Sequence, residues 1–183
     1  KPPSPSYMSV VKECFDRSVK HVNRQHPRGK AYAILGMSEY LRQFPGASDI
    51  KRQLEIAADS LLRWYEQNSR PDWAWFDEIV TYDNAVLPHA LFVAGMTLET
   101  ARYQQAAEES CDFLLANTFD GEHFSFIGCN GWYERGKTRA SFDQQPLEAG
   151  GTVMMLRAAY DATGNTGYLT LQRKAFDWFL GEN

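Results

Sequence analysis

The chain has 183 residues, 44% of them hydrophobic and 23% charged, with a net charge of −4. That is enough chain to bury a core without disulfide or metal staples, and the mild acidity argues against a nucleic-acid binder. The longest apolar run, Ala85 to Met96, is too short for a bilayer span; Cys14, Cys111 and Cys129 are odd in number and scattered, and no signal-peptide pattern opens the chain, so reduced thiols and a cytoplasmic setting are expected.

Residues 1–6 (KPPSPS) form a Pro-rich lead-in that reads as linker. Residues 7–25 are amphipathic, with Val11, Phe15, Val19 and Val22 at helical spacing, and Arg17, Lys20, Arg24 and Arg28 read as a solvated basic stripe. Residues 29–44 are small or apolar nearly all round in their first half. Residues 48–68 carry an apolar stripe of Ile50, Leu54, Ala57, Leu61 and Tyr65. Residues 84–97 are apolar all round, 100–117 amphipathic, 146–161 small and apolar, and 166–180 amphipathic again. A helix that is apolar on every side must be covered on every side, while an amphipathic helix covers it and faces water. The order is therefore outer, inner, outer, inner, outer, inner, outer. This predicts an all-α fold, a curved stack of helical hairpins forming a partial (α/α) toroid of seven helices, with 7–183 as one domain.

A weak repeat supports that architecture. Trp64-Tyr65-Glu66-Gln67-Asn68, Phe113-Leu114-Leu115-Ala116-Asn117 and Phe179-Leu180-Gly181-Glu182-Asn183 each read aromatic, apolar, two variable positions, Asn. The Asn is expected to form a left-handed helix C-cap. In a stack of hairpins every inner helix runs the same way, so the outer-to-inner loops gather on one rim. Here those loops, 69–83 and 118–144, are long, aromatic and charged, which marks the mouth of a pocket.

The rim carries the candidate chemistry. The first loop supplies Trp73, Trp75, Asp77, Glu78, Tyr82, Asp83 and Asn84; the second supplies Trp132, Tyr133, Arg135, Asp143, Gln144 and Gln145, with Glu148 just beyond. Asp83 and Asp143 hold equivalent places before successive inner helices. They fit helix N-caps, and they equally fit a carboxylate pair across a cleft, as glycoside hydrolysis requires. A carboxylate at a helix N-terminus favours the base or nucleophile role, so Asp83 and Asp143 are assigned there, and Glu78 or Glu148, expected among rings, the acid role. Trp73, Trp75, Trp132 and Tyr133 are either core plugs or platforms for sugar rings. Tyr82, Asn84, Arg135, Gln144 and Gln145 would supply a further ring and hydrogen-bonding groups, although the Gln pair fits loop support equally well. His89 lies two turns inside the rim and reads as a satisfied core histidine. No nucleotide, metal or other cofactor motif is present in the sequence, and none is expected.

Taken together, Trp75-Phe76-Asp77-Glu78, Tyr82-Asp83-Asn84-Ala85 with Leu87-Pro88 and Ala90-Leu91, Ile127-Gly128 with Asn130-Gly131-Trp132, and Asp143-Gln144-Gln145-Pro146-Leu147-Glu148-Ala149 resemble the six-hairpin glycosidase-like (α/α) domains. The similarity is to those found alone or fused behind bacterial glycosyltransferases. It covers most of 55–183 and is vague before that. The resemblance implies an (α/α)6 toroid and carbohydrate-active chemistry, without assigning a catalytic residue. Related sugar epimerases use histidines as acid and base, and the matching rim motifs here contain none.

Six hairpins need about twelve helices, so seven predict part of a toroid, completed by a C-terminal remainder or a second chain. The expected function is a glycoside hydrolase acting on an oligosaccharide or sugar, with no nucleic-acid or membrane partner. The alternatives are an epimerase or isomerase on the same scaffold, a non-catalytic glycan-binding module attached to a glycosyltransferase, and a protein-interaction scaffold.

Overall fold

The computed structural model describes residues 5–182. Its helices are α1 (Pro5–Ser18), α2 (Pro27–Gln43), α3 (Ser48–Asn68), α4 (Val86–Leu98), α5 (Ala101–Thr118), α6 (Pro146–Thr163) and α7 (Gly167–Asp177), with 3-10 segments at Val19–Arg24 and Trp178–Leu180. The all-α class and the seven helices agree with the sequence among the described residues. Of the expected lead-in, residues 1–4 lie outside the described residues. Pro5 and Ser6 instead open α1, where a first-turn proline forfeits no helical hydrogen bond.

Three apolar helices, α2, α4 and α6, lie side by side: α4 packs between the other two, and α2 and α6 do not touch. α3 backs α2 and α4, α5 backs α4, and α7 backs α6. The core lies between these layers, on Ile34 and Met37 of α2, Leu54 and Leu61 of α3, Leu87, Leu91 and Phe92 of α4, Tyr103 of α5 and Leu156 of α6, all almost fully buried. Behind the row, the Tyr65 hydroxyl donates to Glu109 at 2.8 Å and the Tyr103 hydroxyl to Asp59 at 2.6 Å, tying α3 to α5.

The described helices form an open row, so the inner helices are not covered all round as their composition predicts. Tyr32 on α2, Met96 on α4 and Leu147 and Met154 on α6 are exposed, because no element stands opposite the row. The terminal asparagines also act differently from the expectation. Ser69 and Phe119, which follow α3 and α5, have extended rather than left-handed backbone. Asn68 and Asn117 instead donate their side-chain amides back to the Trp64 and Phe113 carbonyls, each at 2.8 Å. That satisfies a carbonyl the helix end leaves open. Asn183 lies outside the described residues. The left-handed caps of α-helices are Glu99 and Gly164, which end the inner helices α4 and α6, and Gly181 caps the Trp178–Leu180 segment in the same way.

The two long loops meet on one rim. β1 (Ile79–Val80) pairs antiparallel with β2 (Tyr133–Glu134). The second loop also doubles back tightly on itself, with Gly128 N–H donating to the Ala140 carbonyl at 2.9 Å. A Cβ at Gly128 would stand 1.8 Å from the Phe142 carbonyl oxygen, so this crossing requires glycine. Gly128→Ala is therefore expected to lower stability by about 1–3 kcal/mol in urea denaturation. An unchanged midpoint would show that the crossing is loose.

Candidate functional site

The rim is built from the N-terminal ends of the three inner helices. Arg28, in the first turn of α2, donates to the Tyr82 carbonyl at 2.6 Å, to the Thr81 hydroxyl at 3.0 Å and to the Asn84 side-chain oxygen at 3.3 Å. Its guanidinium also lies 4.8 Å from the centre of the Tyr82 ring. Glu148, in the first turn of α6, reaches across to the start of α4. One carboxylate oxygen accepts the Asp83 N–H; the other accepts the Asn84 N–H at 3.3 Å and its side-chain amide at 2.9 Å. The Tyr32 hydroxyl of α2 donates to Asp83 at 2.8 Å. The residues from 81 to 84 are thus gripped from both neighbouring inner helices.

This grip explains the backbone of Asp83. Asp83 and Asp143 each stand three residues before an inner helix and both have left-handed backbone, with φ of 49° and 62°. Such a conformation costs about 1–2 kcal/mol for a residue with a Cβ, although Asp tolerates it better than most. A hydrogen bond to a charged group contributes about 1.5–3 kcal/mol, so the Glu148 bonds outweigh the strain at Asp83. Neither Asp caps a helix: the N-cap positions are Ala85 and Gln145, and neither makes a side-chain capping bond. Their equivalence lies in the turn they make.

The two carboxylates differ in setting. Asp83 is 6% exposed, and its side chain lies beside α6, where a Cβ added at Gly151 would come within 3.9 Å of its Oδ1. Asp143 is exposed, and its carbonyl accepts the Cys129 N–H at 3.1 Å.

Glu148 is 4% exposed. Burial raises its pKa above the ordinary carboxylate value; the N–H groups of Asn84 and Asp83 pull it back, and the Asp83 charge adds to the rise. The raised pKa suits the expected acid role, but the geometry does not: both oxygens are bound to N–H donors inside the protein. Glu148 is a positioning residue. Glu78, expected among rings, is exposed and lies 3.8 Å from the Arg135 guanidinium. Its solvated place on the loop gives it no such ring pocket.

Several expected ligand-binding groups hold the loops instead. Trp73 and Trp75 are buried as core plugs, so neither presents a ring face to a sugar. The Trp73 indole donates to the Asp77 carbonyl at 2.7 Å, and its ring packs edge-on against Phe113 and Tyr133. Arg135 donates its backbone N–H to the Glu78 carbonyl and its guanidinium to Asp72, both at 2.9 Å, zipping one loop to the other. Gln144 accepts the Phe126 N–H at 2.8 Å, which is the loop-support reading. Gln145 is half-buried at the N-cap of α6, and Asn84 is fully buried in the Arg28–Glu148 chain. Tyr82 and Trp132 remain as rim rings, their centres 6.2 Å apart, with Tyr82 half exposed.

Sequence reading missed three groups. Arg28 was assigned to the solvated stripe, but it points into the rim. Tyr32 lies in an apolar stretch with no motif around it. His89 is not a satisfied core histidine: it is half-buried, its ring makes no hydrogen bond within the protein, and it lines a groove on the open face of the inner helices. Burial lowers its pKa to about 4. Among the described residues no three His, Cys, Asp or Glu side chains gather as metal ligands, and no helix is long and apolar enough to cross a membrane. No family model matches the chain, and no curated protein matches it in a sequence comparison.

Two measurements check this geometry. Glu148→Gln replaces an acceptor oxygen with an NH2 facing N–H donors and should lower stability by about 2 kcal/mol in urea denaturation; an unaltered value would mean that the three bonds do not form. For His89, the folded pKa of about 4 lies below the ordinary 6.5, so its contribution is intact above pH 6.5 and lost as pH falls toward 4. Between pH 7.5 and 4.5 the wild type should lose about 2 kcal/mol more stability than His89→Gln, with the raised Glu148 pKa common to both proteins. Equal pH profiles would place His89 in water.

Proposed function

We propose that the protein is a carbohydrate-active enzyme, a glycoside hydrolase whose substrate enters at the rim formed by the N-terminal ends of α2, α4 and α6. The observation that carries this reading is Asp83. A carboxylate is held in a left-handed turn, bonded by the Tyr32 hydroxyl and anchored through its own N–H to buried Glu148, beside a pair of half-open rings. Keeping a buried acid group in a strained turn with a dedicated support residue is expensive for structure alone and suits a reacting group.

In this reading Asp83 is the base or nucleophile. Asp143, in the matching turn before α6, is the second carboxylate of the pair, and the leaving oxygen takes up a proton as it departs. The glycosidic C–O bond breaks and the elements of water add across it; the spacing of the two carboxylates in the substrate complex sets inversion or retention. Tyr82 and Trp132 offer ring faces to a pyranose, and Arg28 holds Tyr82 in place. The similarity of the rim motifs to six-hairpin glycosidase-like domains supports the same substrate class.

A second reading is a glycan-binding module without turnover. It is favoured by Glu148, whose oxygens are all engaged, leaving fewer free carboxylates than a four-acid rim would have. Reducing-end release from an oligosaccharide panel separates the two. Hydrolysis predicts release by the wild type and a loss of at least about 100-fold in Asp83→Asn and in Asp143→Asn, with Glu78→Gln within a few-fold of wild type. Full activity in both Asp variants would overturn the assignment, and calorimetric binding without release would favour the module.

A further inference from the structure

The open face of the inner helices carries a groove of about 680 Å³ between α2, α4 and α6, within the size range of small-ligand sites. Its floor is apolar, from Leu35, Val93, Met96 and Met154. Two uncharged polar groups line it without any protein partner. Ser38 is 8% exposed, and its hydroxyl oxygen is the one fully buried side-chain polar atom among the described residues that makes no hydrogen bond. A serine within a helix ordinarily returns its hydroxyl to the carbonyl four residues earlier, as Ser110 does to Ala106 at 2.7 Å; Ser38 does not. His89, on the neighbouring helix, is half-buried and lines the same groove, and its ring makes no hydrogen bond within the protein. Buried polar groups in folded proteins are almost always partnered, so the idle Ser38 hydroxyl calls for an occupant that bonds it, and the His89 ring lining the same groove offers that occupant a second hydrogen-bonding group.

The polar groups define that occupant. Burial keeps the His89 ring neutral, so it offers one donor and one acceptor. Ser38 offers a donor and acceptors. The nearby charges of Glu39 and Arg42 are spent on each other, and Lys51 stands exposed at the edge. The site therefore suits an uncharged ligand with hydroxyls along one edge and a C–H face on the other. His89 stands one helical turn below the Asp83 support: its N–H bonds the Ala85 carbonyl at 3.1 Å, two residues past Asp83. We propose that this groove is a second sugar-binding position, in which Ser38 and His89 hydrogen-bond the hydroxyls of a neutral pyranose lying on Val93, Met96 and Met154. The proposal rests on the carbohydrate reading and extends it from the rim down the inner helices.

The test is a ring-nitrogen NMR titration of the full chain labelled on histidine and tryptophan, with the His89 and Trp132 signals assigned by His89→Gln and Trp132→Phe. The probes are methyl α- and β-glucoside, methyl galactoside, methyl mannoside, N-acetylglucosamine and glucose disaccharides, with inorganic phosphate as the charged control. At least one sugar should shift the His89 signals saturably and leave the exposed His21 and His26 in place. Ser38→Ala and His89→Gln should each weaken that sugar about tenfold, the equivalent of one lost hydrogen bond. A sugar that moves the Trp132 indole signal but not His89 would overturn this site and leave the rim reading standing. No response at either place to any sugar would overturn both. Shifts of His89 by phosphate rather than by sugars would overturn the neutral-ligand assignment. The wild-type titration decides the question even if a variant fails to fold.

Discussion

The structure depends on one carboxylate. Glu148 sits in the first turn of one inner helix and binds the backbone at the start of its neighbour, through the N–H groups of Asp83 and Asn84 and the Asn84 side chain. Two effects oppose each other at this group. Burial disfavours its charge, while three N–H donors and the positive end of the helix dipole favour it. From Asn84 the chain of bonds continues to Arg28 on the third inner helix. Three parallel helices with little but small and apolar side chains between them would otherwise have no fixed relative height. The polar chain supplies the register that the greasy interface lacks.

The consequences spread outward from that register. It fixes Asp83 in a left-handed turn and turns its carboxylate toward Tyr32 and α6. It sets the height at which the two long loops meet, and there β1, β2, Arg135 and Trp73 lock them together. The locked loops leave Tyr82, Trp132 and the exposed Phe142 as open rings on the rim. The mouth thus presents few open groups, whereas the groove below it is apolar with isolated hydrogen-bonding points.

Much of this was legible in the sequence. Helical periodicity separated the amphipathic outer helices from the apolar inner ones, because burial on one side or on nearly all sides leaves different patterns. The parity of Asp83 and Asp143 was visible from their place before α4 and α6, though not the left-handed turn that makes them equivalent. What stayed hidden depended on contacts between distant segments. Arg28 looked like its neighbours Arg17 and Arg24, because a charge shows no sign in sequence of the carbonyl it will meet 54 residues on. Trp73 and Trp75 read as either core plugs or platforms, because ring clustering in a long loop does not show which way the loop folds; here it folds inward and buries them. His89 looked satisfied because an apolar helix implies cover on every side, and the open row leaves that face bare.

The central claim is that buried Glu148 holds the Asp83 and Asn84 backbone. Native-state hydrogen exchange at those two amides tests it most directly. The account predicts that both exchange only through opening close to global unfolding, far more slowly than the amide of Gly121 in the second loop. Exchange of Asp83 and Asn84 at the rate of that loop amide would contradict it, since an N–H held inside the protein by a carboxylate cannot exchange without breaking the junction between α4 and α6.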